Sequence, residues 1–208
     1  MSQDRCAVCA CAGLADLIRV TSNPTPQQLE QLGVSAWPIW SCGVSTFPWT
    51  YDERETCLLL EDIQDPGNLG SIMRSAAGAG IRHVCLSKSS VHSWSPRVLR
   101  AGMGAHFMLD IHEQCDLVEI ARNFQGRVIV TALDACASLF DMDLCENVAL
   151  VFGNEGAGVS PALTAVAHDT MRIPMPGNIE SLNVGAAVAV CLFERVRQIG
   201  AKTKPLER

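Results

Sequence analysis

Between residues 56 and 200, short apolar runs alternate with segments of helical patterning, and this alternation constrains the fold more than any other feature. The clearest runs are Cys57-Leu-Leu-Leu-Glu, Arg127-Val-Ile-Val-Thr-Ala and Asn147-Val-Ala-Leu-Val-Phe. Such runs are typical of strands that are buried on both faces of a parallel sheet. Strands alternating with helices predict an α/β fold, with a mostly parallel sheet flanked by helices.

The segments between the runs carry signals for the ends of helices. Ser95-Pro96 and Ser160-Pro161 each place a serine cap before a proline at the first helical position. Gly80 follows a helical pattern directly, as a glycine past the carboxyl cap often does. The mostly apolar segment Ala105–Asp110 is predicted to form one more strand, and the last predicted helix begins at Asn183.

The composition is that of a globular protein, with 48% hydrophobic and 18% charged residues and no apolar run suited to a bilayer. The first twelve residues resemble a secretory leader only faintly, because the apolar part is short and Asp4 lies in the would-be basic region. Cys57, Cys85 and Cys191 lie inside apolar runs, where a free thiol behaves as a small hydrophobe. A reducing, cytoplasmic location is therefore predicted.

The charge pattern limits how the chain can bind nucleic acid. A net charge of −6 argues against a protein that simply coats nucleic acid, since phosphate binding needs clustered cations. Lys88, Arg97 and Arg100 form one local basic cluster. That cluster is equally compatible with an RNA-facing patch and with a solvated helix face.

The first 55 residues differ from the rest, being rich in Pro, Trp and Cys. Three of their thiols are Cys6, Cys9 and Cys11. No second CxxC or CxxH pair lies at a finger-like spacing, so no metal is predicted. Residues 32–60, with the run Phe47-Pro-Trp-Thr-Tyr, resemble the opening strands of a small cupin-type barrel, but too few strands are present to close one. We expect an appendage of uncertain fold at 1–55, an α/β domain at 56–200 and a tail at 201–208.

Three loops that follow predicted strands carry the residues with chemical potential. The first reads Asp65-Pro-Gly-Asn68-Leu-Gly70-Ser-Ile-Met-Arg74, and its glycines allow a tight strand-to-helix turn. Ligands in open α/β sheets bind near the carboxyl ends of the strands, where Asn68 and Arg74 are expected. Taken alone, the pattern slightly favours an ordinary helix start, with Asn68 as a cap and Arg74 as a surface cation.

The second loop reads Phe152-Gly153-Asn-Glu155-Gly156-Ala-Gly158-Val-Ser160-Pro161. Its glycines do not follow the GxGxxG dinucleotide pattern, and no Gly-Lys-Ser/Thr follows as in a phosphate-binding loop. Three glycines after an apolar strand indicate a close backbone approach by a ligand or by another chain segment. Glu155 could bind an amine or hydroxyl of a ligand, or it could face water.

The third loop reads Ile173-Pro-Met-Pro-Gly-Asn-Ile-Glu-Ser181-Leu-Asn183 and joins a short apolar strand to a helix of small residues. An ordinary connection with Ser181 as the helix cap would explain the serine. It would not explain why Asn178, Glu180 and Asn183 crowd together. Polar groups held at such a turn can meet a ligand with fixed geometry.

In this order and at these intervals, the three loops together resemble the SpoU (TrmH-type) branch of the SPOUT RNA methyltransferases over roughly residues 56–200. The resemblance implies a trefoil knot near the carboxyl end, a homodimer, and S-adenosyl-L-methionine held in the knotted loops. The function it implies is methyl transfer to the 2′-hydroxyl of a ribose in tRNA or rRNA.

The resemblance also implies roles for individual residues. The residues expected to contact the cofactor are Thr131, Gly153, Ile173, Met175 and Leu182. The residues expected to be catalytic or to position the ribose are Arg74, Glu155, Ser181 and Asn183, with Asn68 in support. Two departures from the family pattern are visible: Gly185 stands where a serine is commoner, and residues 1–55 do not resemble the RNA-binding domain that many relatives carry there.

Three other functions are compatible with parts of the sequence. A nucleotide-dependent oxidoreductase would share the α/β pattern, but the chain lacks the glycine fingerprint and the acidic residue about twenty positions later. A small-ligand barrel is suggested by residues 32–60 alone. A catalytically inactive RNA-binding relative of the same fold is the main alternative, and the complete set of polar motif residues favours the enzyme.

Overall fold

The computed structural model describes residues 55–177 and 179–203, in which strands and helices alternate. The strands are β1 (Cys57–Leu60), β2 (His83–Ser87), β3 (Asp110–Cys115), β4 (Arg127–Thr131), β5 (Ala137–Ser138), β6 (Val148–Phe152) and β7 (Asp169–Arg172). The helices are α1 (Pro66–Gly78), α2 (Pro96–Gly102), α3 (Leu117–Asn123), α4 (Pro161–Val166) and α5 (Val184–Thr203). Two short 3-10 turns cover Ala105–Phe107 and Leu139–Asp141. Except for Glu55, the predicted appendage at 1–55 lies outside the described residues.

The strands form one seven-stranded sheet in the order β3-β2-β1-β6-β4-β7-β5. Each strand pair in the described part of the chain is parallel. At the centre, Leu58 of β1 is in register with Val84 on one side and with Leu150 on the other. The predicted α/β fold class, a mostly parallel sheet flanked by helices, is therefore confirmed.

Strands β6 and β7 are each inserted between strands that precede them in the chain. Strand β6 lies between β1 and β4, and β7 lies between β4 and β5. As a result, β1, β6, β4 and β7 are neighbours at the centre of the sheet. Because they are parallel, the loops that follow them meet at one edge.

Alternating side chains of the strands form two cores, one on each face of the sheet. Leu58, Leu60 and Phe152 belong to the core that α1, α2 and α5 cover. Leu59 and Val151 belong to the core that α3 and α4 cover. All five side chains are almost wholly inaccessible to solvent, which explains why these strands read as continuous apolar runs.

Most of the predicted element ends are confirmed. Gly80 has φ 76°, in the left-handed region, directly after the carboxyl cap of α1. The Ser160 hydroxyl oxygen accepts a hydrogen bond from the Leu163 amide at 3.3 Å and caps α4. Ser95 does precede Pro96 at the start of α2, but its side chain makes no capping hydrogen bond, so that part of the prediction is wrong.

The strand predicted at Ala105–Asp110 is also wrong. Residues Ala105–Phe107 form a 3-10 turn, and β3 begins only at Asp110. The physical reason precedes the segment, where Met103 and Gly104 both have positive φ, at 49° and 86°. These two left-handed residues follow the end of α2 and turn the chain sharply. The apolar residues after the turn therefore form a 3-10 turn and not an extended strand.

Helix α5 is tied to the rest of the domain by polar side chains. Arg195 Nη2 donates to Thr56 Oγ1 at 2.9 Å, just before β1. The Gln198 side chain accepts from the Leu144 amide at 2.9 Å and donates to the Met142 carbonyl at 2.9 Å. These contacts fix the helix whose amino-terminal end begins at Val184.

A glycine is required where α1 and α2 cross, and this requirement is testable. A Cβ atom at Gly70 would collide with Ala101 Cβ and would lie 2.8 Å from the Val98 carbonyl oxygen. Gly70→Ala should therefore lower the free energy of unfolding by about 1–3 kcal/mol, because the buried crossing has no room for the methyl group. The midpoint and slope of urea unfolding measure the effect.

The control is Gly78→Ala in the same helix. Gly78 is exposed, and a Cβ atom there would meet only Phe193 Cζ at an ordinary 3.8 Å. This variant should gain about 0.5–1 kcal/mol, because alanine loses less backbone entropy in a helix than glycine. Equal stability of the two variants would contradict the tight crossing.

Candidate active site

The three motif loops converge at the carboxyl edge of the sheet. The first follows β1, the second follows β6 and the third follows β7, while Thr131 ends β4 between them. These four strands are neighbours, so residues far apart in sequence reach one small region. The insertion of β6 and β7 between earlier strands produces this convergence.

Asn68 is positioned by the start of α1. Asp65 lies at the amino-terminal cap of the helix, and its Oδ2 accepts a hydrogen bond from the Asn68 amide at 2.7 Å. Pro66 occupies the first helical turn, where its missing N–H removes no helical hydrogen bond. The sequence Asp-Pro-Gly-Asn therefore fixes Asn68 in the first turn, beside the edge of the sheet.

Asn183 caps α5 and reaches Asn68 with the other end of its amide. Its Oδ1 accepts hydrogen bonds from the amides of Gly185 at 2.9 Å and Ala186 at 3.3 Å. Its Nδ2 donates to Asn68 Oδ1 at 2.9 Å. Since helix amides can only donate, the orientation of the Asn183 amide is determined.

The same logic continues to Glu155. Asn68 Oδ1 accepts from Asn183, so Asn68 must present its Nδ2 to a further acceptor, and it donates to Glu155 Oε1. The result is a directional chain from the α5 amides through Asn183 and Asn68 to the Glu155 carboxylate. This "amide chain" joins one residue from each of the three motif loops.

The loop after β6 needs glycine for its shape. A Cβ atom at Gly153 would occupy the position of the Gly158 carbonyl group, and Gly158 has φ 70°. Asn154 exchanges two backbone hydrogen bonds with Gly158, at 3.1 and 2.8 Å. The tight loop places Glu155 at its exposed tip.

A second set of polar contacts, not predicted from the sequence, ties the first two loops together. Asp62 has φ 55°, and Ser87 Oγ accepts from its amide at 2.8 Å and donates to its carboxylate at 2.7 Å. Asn154 Nδ2 donates to the Asp62 carbonyl at 3.0 Å, and Glu61 Oε2 accepts from the Ser160 amide at 2.7 Å. Polar residues directly after an apolar strand are the sequence signal that could have found Glu61, Asp62 and Ser87.

The predicted cofactor contacts lie around the same edge. Thr131 ends β4, and its hydroxyl donates to the Val151 carbonyl at 3.0 Å. Ile173 and Met175 are half-buried in the loop after β7, and Ile173 packs against the core on the α1 face. Leu182 leaves 38% of its surface exposed, close to the start of α5.

Two predicted catalytic residues stand apart from the amide chain. Arg74 is exposed on α1, six residues after Asn68, about 9 Å further along the helix axis. It forms no hydrogen bond or ion pair with a residue in the described part of the chain. Ser181 is exposed, and its hydroxyl bonds to no described residue. The expected alternative of Ser181 as helix cap is wrong, because Asn183 accepts the amides of α5; Asn178 lies outside the described residues.

Neither a metal cluster nor a membrane span is found in the parts of the chain that the structure describes. No group of three or more His, Cys, Asp or Glu side chains within residues 55–177 and 179–203 is arranged to hold a metal ion. Over the same ranges, every helix is too short or too polar to cross a bilayer. Cys6, Cys9 and Cys11 lie outside these ranges.

A short match concerns the amino-terminal part. Residues 29–61 match the profile of the EutQ-like cupin domain, in agreement with the resemblance noted for 32–60. Residues Cys57–Leu60, near the end of this match, form β1 and pair with β2 and β6 in the parallel sheet. They therefore belong to the α/β domain.

Comparison with known proteins extends over most of the described residues. A 23S rRNA (guanosine-2′-O-)-methyltransferase, RlmB of Xanthomonas campestris, is 38% identical over 148 residues, which cover 70% of this chain and 59% of the relative. The SpoU methyltransferase AviRb of Streptomyces viridochromogenes, solved with AdoMet, superposes with a TM-score of 0.66 at 29% identity, covering 73% of this chain and 63% of AviRb. The chain thus spans about six tenths of the length of both.

A third relative is matched almost completely. A protein solved in a study of 2-OH methylation on tRNA superposes with a TM-score of 0.62 at 29% identity, covering 72% of this chain and 99% of that one. The profile of the SpoU rRNA Methylase family matches residues 55–193, which hold all three motif loops. The chain therefore belongs to the SpoU rRNA Methylase family.

Proposed function

We propose that this chain transfers a methyl group from S-adenosyl-L-methionine to the 2′-hydroxyl of a ribose in RNA. The observation that carries the proposal is the amide chain, which holds Asn68, Glu155 and Asn183 together at the carboxyl edge of the sheet. Membership of the SpoU family supports the same chemistry. The substrate class is tRNA or rRNA, since the relatives named above act on one or the other.

The loops of this chain fit the proposed cofactor. A purine needs apolar contacts together with a few backbone polar groups. Half-buried Ile173 and Met175 and partly exposed Leu182 offer apolar surface. Among the described residues, no atom lies within 4 Å of the position that a Cβ atom of Gly177 would take, so there is open space beside these side chains. The proposed contacts are therefore these side chains together with the backbone around Thr131 and Gly153.

When bound, the cofactor supplies a methyl group activated by a sulfonium. The chain must then bring the ribose oxygen into line with that methyl carbon and with the sulfur behind it. Positioning of this kind can lower a barrier by about 7–11 kcal/mol. Glu155, held by Asn68, and the exposed hydroxyl of Ser181 are the groups proposed to orient the ribose.

Arg74 is proposed to act on the attacking hydroxyl. A guanidinium stays protonated, so it stabilises negative charge that develops on the ribose oxygen. Its side chain is exposed and has no acidic partner among the described residues, which leaves it available to an RNA phosphate. That phosphate is a candidate acceptor for the proton, since the three motif loops contain no histidine.

The proposal includes the knot that the family resemblance implies. Strand β7 is separated from β1 by β4 and β6, yet Asn183, which follows β7, donates to Asn68, which follows β1, so the chain reaches back to the first motif loop. It then continues as α5 on the face that α1 covers. A carboxyl segment that reaches back to the first motif loop in this way supports the proposed threaded arrangement, within a methyltransferase domain at about 56–200.

A cytoplasmic location completes the proposal. Cys57, Cys85 and Cys191 are buried in the two cores, and Cys85 and Cys191 are free thiols. Burial raises the pKa of the Cys191 thiol to about 12, so it stays protonated and unreactive. Buried free thiols of this kind suit a reducing compartment.

The chain is also proposed to form a homodimer through α5. Val190, Phe193 and Val196 recur at three-residue intervals and leave 37%, 50% and 39% of their surfaces exposed.

Phe193→Asp should convert the dimer to a monomer in sedimentation velocity, because a carboxylate cannot be buried against an apolar partner face. Phe140→Asp, at an equally exposed phenylalanine, is the control and should stay dimeric; a dimeric Phe193→Asp contradicts this interface.

Replacing Arg74 tests the catalytic assignment. Arg74→Ala should slow methyl transfer by at least about 100-fold, because the developing charge on the ribose oxygen loses its cation. The affinity of this variant for S-adenosyl-L-methionine should change by less than about twofold, since Arg74 is not among the residues proposed to contact the cofactor. Tritium transfer to RNA and calorimetric titration measure the two quantities. Arg122→Ala, an exposed cation on α3, should leave both unchanged, and an active Arg74→Ala enzyme would refute the role.

Two substitutions at Asn183 separate helix capping from the amide chain. Asn183→Asp keeps an oxygen for the α5 amides and places a negative charge at the helix start, so its stability should stay within about 0.5 kcal/mol of the wild type. Asn183→Asp loses the N–H group that donates to Asn68, and its second carboxylate oxygen then faces Asn68 Oδ1, which is also an acceptor. Methyl transfer should therefore fall by roughly 100-fold. Asn183→Ala should lose about 1 kcal/mol of stability as well. Full activity in Asn183→Asp would show that the amide chain does not position the site.

A further inference from the structure

The connection between β2 and β3 carries a surface that the methyl-transfer site does not use. Residues 88–109 contain no Asp or Glu, in a chain whose net charge is −6. Their exposed cations are Lys88, Arg97 and Arg100. Their exposed apolar side chains are Met103, Phe107 and Met108, at 70%, 62% and 73% of full exposure. These six residues are called the α2 surface.

We propose that the α2 surface binds single-stranded RNA next to the nucleotide being methylated. This inference rests on the proposed function, because it supplies the docking surface for the same RNA substrate. It deepens that function by assigning recognition to the α/β domain itself.

The α2 surface begins close to the amide chain. Helix α2 crosses the first turn of α1 so closely that a Cβ atom at Gly70 would collide with Ala101 and lie 2.9 Å from the Gly102 amide nitrogen. Gly70 is two residues from Asn68, and Arg100 directly precedes Ala101. Lys88 follows the last residue of β2, at the same edge of the sheet as the motif loops. An RNA strand that enters the site can therefore reach this surface.

The cations of the α2 surface are free to meet phosphate. Arg82, Arg127 and Lys202 each form an ion pair with an aspartate. None of the three α2-surface cations forms an ion pair with a residue in the ranges that the structure describes. Arg97 and Arg100 are three residues apart on one helix, so their guanidinium groups lie on the same side and can bind successive phosphates.

The exposed aromatic ring adds a contact that suits unpaired bases. Phe107 lies in the 3-10 turn that follows two residues with positive φ, Met103 and Gly104. This turn packs against α1 and α2, so Phe107 and the two arginines of α2 belong to neighbouring elements of one connection. Bases of single-stranded RNA stack on exposed aromatic rings, whereas bases in a duplex are covered. Exposed cations and an exposed aromatic ring on the same connection therefore favour a single strand.

The connection is held in place by polar side-chain contacts, of which the one between His106 and Ser93 is buried. Glu113 Oε1 accepts from the Ser93 amide at 2.6 Å and contacts His92 Nδ1 at 2.7 Å. His106 Nε2 donates to the Ser93 carbonyl at 2.9 Å, and the Trp94 ring lies against the His106 ring with centroids 5.2 Å apart. The hydrogen bond to Glu113 raises the pKa of His92, which favours the charged pair. A surface fixed in this way loses little entropy when RNA binds.

The electrostatic part is tested with the full chain and a fluorescein-labelled single-stranded RNA of about 20 nucleotides. Arg97→Gln/Arg100→Gln should bind this RNA at least about tenfold more weakly at about 0.1 M salt. The slope of log affinity against log salt should become shallower by about 1.4, since each lost phosphate contact removes about 0.7. The matched control, Arg82→Gln/Arg122→Gln, removes the same charge elsewhere and should keep the wild-type slope. Equal slopes for the two double variants overturn the proposal.

The aromatic part is tested with Phe107→Ala. Affinity should fall by about 5- to 150-fold, the range measured for loss of base stacking, while the salt slope stays unchanged. Phe140→Ala, at another exposed phenylalanine, should bind as the wild type does. If Phe107→Ala instead shifts the oligomeric state in sedimentation velocity and leaves RNA affinity unchanged, the surface is a contact between copies of this chain and the proposal fails.

Failure of this inference is distinguishable from failure of the proposed function. If the wild type methylates RNA but the α2-surface variants bind it normally, only the docking surface is wrong. If the wild type binds S-adenosyl-L-methionine and methylates neither tRNA nor 23S rRNA transcripts, the proposed function itself is wrong. In every variant of this surface, calorimetric titration should show wild-type affinity for S-adenosyl-L-methionine.

Discussion

The hydrogen bonds from the α5 amides to Asn183, from Asn183 to Asn68 and from Asn68 to Glu155 hold the candidate active site together. Each amide has its orientation determined by the one before it, because a backbone N–H can only donate. The site is therefore not three independent loops that happen to be close. The position of Glu155 depends on how α5 begins, more than 25 residues further along the chain.

The order of strands makes this chain of contacts possible. If β6 and β7 had been added at the outer edges of the sheet, their loops would lie several strands away from Asn68. Insertion of β6 beside β1 and of β7 beside β4 brings all three motif loops to the centre of one edge. The buried apolar strands stabilise the sheet, and the polar loops at their ends are left free for chemistry.

The sequence predicts local structure better than it predicts contacts between distant loops. Gly80 and Ser160 mark helix ends correctly because turn and cap chemistry acts over a few residues. The apolar segment at Ala105–Asp110 misleads because its outcome depends on the positive φ of Met103, which no apolar pattern reveals. The tie between Asp62 and Ser87 joins residues 25 positions apart, so only the register of β1 and β2 brings it about. The residues of the amide chain were found through their resemblance to a family, whereas their hydrogen bonds required the structure.

The proposed function assigns methyl transfer to a ribose oxygen to the sheet edge formed by β1, β6, β4 and β7. The most direct test incubates the protein with tritium-labelled S-adenosyl-L-methionine and unmodified tRNA or 23S rRNA transcripts, then digests the RNA to nucleosides. We expect the label to be recovered in a 2′-O-methylated nucleoside. Label on a base, or no label in any RNA despite cofactor binding, would contradict it.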